Sequence, residues 1–145
     1  MKPVLQSLVL ADRVYEDRGT GKKVISGTFN TLLYKRNVPQ PAGDGPGKQR
    51  VIKGGMQAGS PWLYLSLTDL SGEITLNLRY LDLQEDKVLF EGSFPARSED
   101  KLSTVEVVAP LPPLPTPHAG VYALELLCDQ ELLGSLRITV KELTS

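Results

Sequence analysis

The sequence contains few of the residues that most often carry chemistry. Its 145 residues include one cysteine, one histidine and one tryptophan. A single cysteine excludes an internal disulfide and a multi-cysteine metal site. A net charge of −1 argues against general polyanion binding. No window approaches 18 consecutive apolar residues, so no transmembrane helix is expected. These scarcities favour a non-enzymatic protein that needs no cofactor.

Length and composition are those of one globular domain spanning residues 1–145. Hydrophobic residues make up 41% of the chain and charged residues 23%, both close to the usual globular values. Asp12 and Arg13 end the first apolar stretch too early for a signal peptide. We therefore expect a soluble, cytoplasmic protein that makes no membrane contact.

Apolar residues alternate with polar ones in about eight short segments. The segments are 4–15, 23–34, 62–68, 73–82, 87–95, 103–109, 122–128 and 132–140. Alternation with period two is typical of strands with one buried face, and no segment has a clear 3.6-residue repeat with capping signals. The pattern predicts an all-β fold, an antiparallel β-sandwich. Gly27 does not fit the alternation and suggests a bulge.

The C-terminal segments form the best-specified hairpin. The register that pairs their apolar faces sets Tyr122 opposite Ile138 and Leu124 opposite Leu136. The numbers of each pair sum to an even number, which favours a loop with an odd number of residues. We predict a three-residue loop, 129–131, with a bulge. Gly120-Val121-Tyr122 follows a proline-rich crossover and is similar to the tyrosine corner of immunoglobulin-like sandwiches. We therefore expect an immunoglobulin-like form of the fold.

A second hairpin is predicted from segments 62–68 and 73–82. Paired residue numbers that sum to 141 bring every leucine opposite an apolar residue. The same register sets Trp62 opposite Arg79 and Tyr64 opposite Asn77 on the outer face. Trp and Arg are enriched at interface hot spots, so these four residues form a candidate contact surface. An ordinary polar face, with Trp62 covered by the loop that precedes it, is the alternative.

Residues 37–61 differ in composition from the rest of the chain. Ten of these 25 residues are Gly or Pro, which predicts a long loop inserted into the domain. Lys48, Arg50 and Lys53 make the loop basic and form a candidate anion-contacting site. No aromatic residue accompanies them, so specific nucleic-acid recognition is disfavoured.

Several isolated residues have ordinary structural interpretations. His118 lies in the proline-rich crossover and is expected to be a solvated loop residue without catalytic partners. Asp82 and other acids at turns are expected to cap those turns, with calcium binding as the alternative. Cys128 is predicted to be a buried, inert thiol. The run 111–115 is expected to connect the sheets, with a polyproline ligand as the alternative.

Three groups of residues carry a family resemblance. They are 10–23 with 27–29, then 67–72 with 76–82, and 111–115 with 120–122 and 132–134. On these stretches the chain resembles a family of small bacterial proteins that is defined by a domain of unknown function. The resemblance covers nearly the whole chain outside 37–61. It implies a soluble bacterial sandwich and brings no activity, cofactor or catalytic residue.

Three hypotheses about function follow. The first is a non-enzymatic protein-interaction or self-association module, whose partner is an unknown protein or a second copy. The second is a carbohydrate- or small-ligand-binding module that uses Trp62, Tyr64, Asn77 and Arg79. The third is an enzyme, which the sequence disfavours because it contains no recognisable nucleophile–base pair or metal-ligand spacing.

Overall fold

The computed structural model describes residues 2–35 and 61–143, and in these residues all regular structure is β. Nine strands are present: β1 (Val4–Glu16), β2 (Lys23–Thr28), β3 (Thr31–Lys35), β4 (Trp62–Thr68), β5 (Gly72–Asp82), β6 (Lys87–Ser98), β7 (Val105–Pro110), β8 (Gly120–Cys128) and β9 (Glu131–Leu143). They form a four-stranded sheet with order β2-β1-β4-β7 and a five-stranded sheet with order β3-β9-β8-β5-β6. The predicted all-β sandwich is confirmed.

The core lies between the two sheets and is built from alternate residues of their strands. In the four-stranded sheet, Leu63, Leu65 and Leu67 of β4 have no exposed surface. The five-stranded sheet supplies two adjacent rows, which are Leu76, Leu78 and Tyr80 on β5 and Tyr122, Leu124 and Leu126 on β8. Burying one such side chain contributes about 1.5–3 kcal/mol, so these rows are a main source of stability.

The predicted register of the C-terminal hairpin is confirmed, but its loop is shorter than predicted. Tyr122 pairs with Ile138 and Leu124 with Leu136, as expected. Cys128 pairs with Glu131, so the loop has two residues, and the register shifts between Leu126 and Leu127. The unpaired residue therefore lies within β9 and not in the loop. An unpaired residue in either place changes the sum of the paired residue numbers in the same way, so the sequence cannot distinguish the two. Cys128 is buried, in agreement with the prediction.

The predicted hairpin between β4 and β5 is wrong. β4 pairs with β1 and β7, while β5 pairs with β6 and β8 in the other sheet. The connection 69–71 crosses between the sheets, and Leu70 within it is 2% exposed. Alternation shows which residues face inward, and those assignments were right. It does not identify the neighbouring strand, because every apolar strand of a sandwich has the same period.

The segment predicted as one strand over 23–34 is two strands in different sheets. β2 pairs antiparallel with β1, whereas β3 pairs parallel with β9. Two backbone hydrogen bonds hold the crossing: Phe29 N–H donates to Leu10 O at 3.3 Å, and Thr139 N–H donates to Asn30 O at 2.9 Å. A parallel partner that lies far away in sequence leaves no local pattern, so the break was missed.

Gly27 is not at a bulge, because the register of β1 and β2 is constant on both sides of it. Its φ of +75° is a conformation that favours glycine. A Cβ added there would lie 2.5 Å from Asp12 Oδ2 and 3.1 Å from Asp12 Cβ. Gly27 is therefore required both for its backbone conformation and for the close approach of Asp12.

The proline-rich segment between β7 and β8 is the predicted crossover between the sheets. Leu111 and Leu114 point into the core, with exposed fractions of 8% and 0%. Leu111 N–H also donates to Pro61 O at 2.9 Å. A polyproline ligand would need these leucines at the surface, so that alternative is wrong.

None of the described residues belongs to a helix that is long and apolar enough to cross a membrane.

The close approach at Gly27 leads to a test with an internal control. Gly27→Ala should lower the free energy of unfolding by about 2–4 kcal/mol, because a left-handed φ and a steric overlap add. Gly21 has the same φ of +75° and nothing within 4 Å of an added Cβ. Gly21→Ala should therefore cost only about 1–2 kcal/mol. Urea denaturation measures both variants, and equal losses would contradict the proposed contact with Asp12.

Candidate functional site

Asn77 and Arg79 lie on the outer face of the five-stranded sheet. Leu76, Leu78 and Tyr80 alternate with them on β5 and point into the core. Strand alternation therefore directs Asn77 and Arg79 to the opposite side. The structure keeps this half of the predicted contact surface together.

Trp62 and Tyr64 lie on the outer face of the other sheet, so the predicted four-residue surface does not exist. Trp62 pairs with Ala11 and Pro110, and Tyr64 pairs with Val9 and Val108. The predicted pairs of Trp62 with Arg79 and of Tyr64 with Asn77 are wrong. The physical reason is the crossing at 69–71, which sends β4 and β5 to opposite sheets and turns their outer faces away from each other.

The hydroxyl of Tyr64 is engaged in a charged network. It donates to Glu106 Oε2 at 2.5 Å. Lys23 Nζ lies 3.6 Å from Glu106 Oε1 and 3.1 Å from Glu16 Oε1, so β2 is joined to β7 across the face. Burial and the Glu106 carboxylate raise the pKa of Tyr64. Trp62 beside it is half-buried, which makes this face less available than the sequence predicted.

An open depression lies on the outer face of the five-stranded sheet. Its volume is about 720 Å³, within the range of roughly 300–1,000 Å³ that is typical of ligand pockets. Three strands and the turn after β8 supply its lining, which consists of Asn77, Arg79, Glu91, Gly92, Ser93, Leu127 and Gln130. Two residues predicted from the sequence therefore line this depression.

Arg79 lies between two carboxylates in this depression. Its pairing partners on the neighbouring strands are Glu91 on β6 and Glu125 on β8. Arg79 Nη2 lies 3.1 Å from Glu125 Oε1, and both side chains are partly buried. Arg79 Nε is buried and has no hydrogen-bond partner among the described residues. The guanidinium is therefore held in place by Glu125 and keeps one unused donor.

The other polar side chains of the depression are uncommitted within the described ranges. Asn77, Glu91, Ser93 and Gln130 line it, and none of their side chains forms a hydrogen bond or ion pair with residues 2–35 or 61–143. Amides donate and accept, a hydroxyl does both, and a carboxylate accepts. The depression thus presents several unused hydrogen-bonding groups on two strands and one turn.

Asp82 and His118 form a pair that the sequence interpretation missed. Asp82 is 2% exposed, and its Oδ2 contacts His118 Nε2. Its Oδ1 accepts from the backbone N–H groups of Gln84 and Glu85 at 3.1 and 3.2 Å. The expected turn-capping role of Asp82 is therefore confirmed. The expectation that His118 is a solvated loop residue is wrong, because its ring is bonded to a buried carboxylate.

Both nitrogens of the His118 ring face acceptors. Nδ1 lies 2.8 Å from Ala119 O, and Nε2 faces Asp82. Only the protonated ring can donate from both nitrogens. The bond to the Ala119 carbonyl and then the bond to Asp82 accordingly raise the pKa of His118. Burial alone would raise the pKa of Asp82, but the bonds from His118, Glu85 and Gln84 together lower it.

Tyr122 fixes the segment that carries His118. Its hydroxyl donates to His118 O at 2.6 Å and accepts from His118 N–H at 3.2 Å. Its ring stacks on Tyr80 with centroids 5.6 Å apart, and Tyr80 donates to Pro115 O at 2.9 Å. The crossover is thus bonded to both strands beneath it.

One signal in the sequence could have revealed the pair. Asp82 occupies the next inward position after Leu76, Leu78 and Tyr80 on the same strand. A carboxylate at an inward position needs a donor or a cation, because an unpaired buried charge is very costly. The chain has a single histidine, His118, whose ring could supply that donor or cation.

The remaining site predictions have mixed outcomes. Lys48, Arg50 and Lys53 lie outside the described residues, as does almost all of the predicted 37–61 insertion. Among the described residues, no three His, Cys, Asp or Glu side chains are close enough to hold a metal ion. The turn acids therefore form no calcium cluster in that part of the chain.

Comparison of the sequence with protein-family models and with curated proteins gives no match. The resemblance to small bacterial proteins therefore stays a prediction.

The Asp82–His118 pair should make stability depend on pH within a defined window. Because the pKa of His118 is raised, this residue contributes fully to the free energy of unfolding below pH 6.5, its ordinary pKa. The contribution is lost as the pH rises through the folded-state pKa. Because the pKa of Asp82 is lowered, this residue contributes fully to the free energy of unfolding above pH 3.8, its ordinary pKa. The contribution is lost as the pH falls through the folded-state pKa. The stability difference between wild type and His118→Gln should be largest between these two pH values.

Urea denaturation of both proteins at a series of pH values measures this difference. Glu99→Gln is the control, because Glu99 forms an exposed ion pair with Arg97 at 3.3 Å, and exposed pairs contribute little. The single histidine also gives one assignable NMR titration, which should have a midpoint above 6.5. A difference that is independent of pH, or a midpoint below 6.5, would contradict the pairing.

Proposed function

We propose that this chain is a non-enzymatic binding module whose contact surface is the depression on the outer face of the five-stranded sheet. The observation that carries the proposal is the set of uncommitted polar side chains around Asn77 and Arg79. Asn77 is half-buried, whereas Glu91, Ser93 and Gln130 are exposed. Half-buried polar groups are normally paired, so an unpaired Asn77 beside exposed polar groups is available to a ligand.

The state of His118 supports a role other than catalysis. A general base needs a ring nitrogen that can take a proton from a substrate. Both nitrogens of His118 already face protein acceptors, and Asp82 accepts bonds at both of its oxygens. We therefore assign the pair to attaching the crossover between β7 and β8 to the end of β5.

Self-association through β6 is a second candidate. β6 is a 12-residue strand that pairs only with β5 among the described strands, and an unpaired edge can add a further strand. Val88 on it is 42% exposed. Pro95 and the charged Glu91 and Arg97 reduce the tendency of this edge to pair, so this candidate ranks second. Sedimentation equilibrium tests it: a dimer that Val88→Lys dissociates would favour β6.

We also propose that the sandwich is of the immunoglobulin type. The order β1-β4-β7 in one sheet and β6-β5-β8-β9 in the other supports this assignment. The bond from the Tyr122 hydroxyl to the backbone four residues upstream is a further support, because it corresponds to a tyrosine corner. A bacterial origin and a cytoplasmic location remain predictions from the sequence.

NMR chemical-shift mapping tests the proposed surface. Labelled full-length protein is titrated with a defined set of neutral oligosaccharides, short peptides and nucleotides. We expect at least one probe to shift the amides of Asn77, Arg79 and Ser93, and Asn77→Ala to weaken its binding about tenfold, as for the loss of a strong hydrogen bond. Trp62→Ala is the control on the other sheet and should leave the affinity unchanged. Shifts confined to the Trp62 face would contradict the proposal.

A further inference from the structure

The turn at the end of the depression has an unusual backbone. Asp129 and Gln130 form the two-residue loop between β8 and β9, with φ values of +50° and +68°. Two-residue hairpin loops of this kind favour glycine and asparagine, because both central residues need positive φ. Glutamine at positive φ is strained. Strained backbone often marks a functional position, and Gln130 lines the depression whereas Asp129 does not.

The charges of the depression limit the class of ligand. Arg79 lies in a row between Glu91 and Glu125, and Glu125 already takes one of its nitrogens. An anionic ligand would meet the carboxylate of Glu91, while the charge of Arg79 is already offset by Glu125, so an anionic ligand is disfavoured. A cationic ligand would meet Arg79, whose side chain is fixed there. A neutral ligand avoids both penalties.

The unused groups match a ligand that is rich in hydroxyls. Each hydroxyl both donates and accepts, so a polyol can bond simultaneously to amides, a hydroxyl and a carboxylate. Asn77 and Gln130 supply amides, Ser93 supplies a hydroxyl, and Glu91 supplies a carboxylate. Leu127 is the single large apolar side chain of the lining, so the surface suits a polar ligand better than a hydrophobic one.

We propose that the depression binds a neutral saccharide, with Gln130 held in its strained turn as a specificity-determining contact. This inference rests on the proposed function and names its ligand class. The depression is open to solvent, so a saccharide can enter it without a change in the fold. Trp62 lies on the opposite face of the sandwich and takes no part in recognition.

The strained turn allows a test in which loss of binding cannot result from unfolding. Gln130→Gly removes the side chain and also relieves the positive-φ strain, so thermal stability should stay equal or rise. Asp129→Gly relieves the same kind of strain one residue earlier without changing the lining. The two variants are therefore matched for their effect on the turn and differ in their effect on the depression.

The full-length protein is first applied to an array of neutral and acidic oligosaccharides and lysine-rich peptides. The tightest neutral oligosaccharide is then titrated by calorimetry against wild type, Gln130→Gly and Asp129→Gly. We expect Gln130→Gly to weaken binding about tenfold and Asp129→Gly to retain the wild-type affinity. Trp62 fluorescence should not respond to the sugar.

Three results would overturn the inference. They are no binding to any neutral oligosaccharide, preference for acidic glycans or lysine-rich peptides, and equal affinity of wild type and Gln130→Gly. Peptide binding that depends on Asn77 would exclude the saccharide and leave the proposed binding surface intact. If no probe shifts the amides of the depression, both proposals fail together.

Discussion

The burial of alternate side chains between two sheets is the constraint on which the structure depends. Leu63, Leu65 and Leu67 of β4 have no exposed surface, and the rows on β5 and β8 face them from the other sheet. Each strand can bury only one face, so its remaining side chains are directed outward. The positions of Asn77 and Arg79 therefore follow from the burial of the leucines on either side of them.

The same constraint creates a problem at the end of β5, where an inward position is occupied by Asp82. Burying an unpaired carboxylate would be very costly, and removing one partner of a buried ion pair typically costs about 3–5 kcal/mol. Two backbone donors and the His118 ring offset that cost. Tyr122 holds the backbone of His118 in turn. The buried charge of Asp82 is thus one of the points at which the proline-rich crossover is attached, together with the bonds from Tyr80 and Tyr122.

The two outer faces of the sandwich differ in how their polar groups are used. On the four-stranded sheet, Tyr64 bonds to Glu106, which also pairs with Lys23, so these polar groups already have partners within the protein. On the five-stranded sheet, Arg79 is paired with Glu125, and the other polar side chains that line the depression have no partner in the described part of the chain. The half-buried, unpaired Asn77 distinguishes the proposed contact surface from an ordinary polar face.

The sequence alone determined the fold class, the inward rows of β4, β5 and β8, and the register of the C-terminal hairpin, whereas Val88 and Leu132, assigned to inward faces, are exposed. These features depend on side-chain alternation within single strands, which is local and has a fixed period. It also placed Cys128 on the buried side and identified the proline-rich run 111–115 as the connection between the sheets.

Only the tertiary structure decided which strands are neighbours. It separated Trp62 and Tyr64 from Asn77 and Arg79, divided 23–34 between two sheets, and brought His118 to Asp82. Gln130 joined the candidate site for the same reason, since the β8–β9 turn lies beside β5 and β6 only once the five-stranded sheet has formed. Partner choice depends on the packing of distant apolar surfaces, and hydrophobic contact is non-directional. The local period is equally compatible with several partners, which is why it could not select among them.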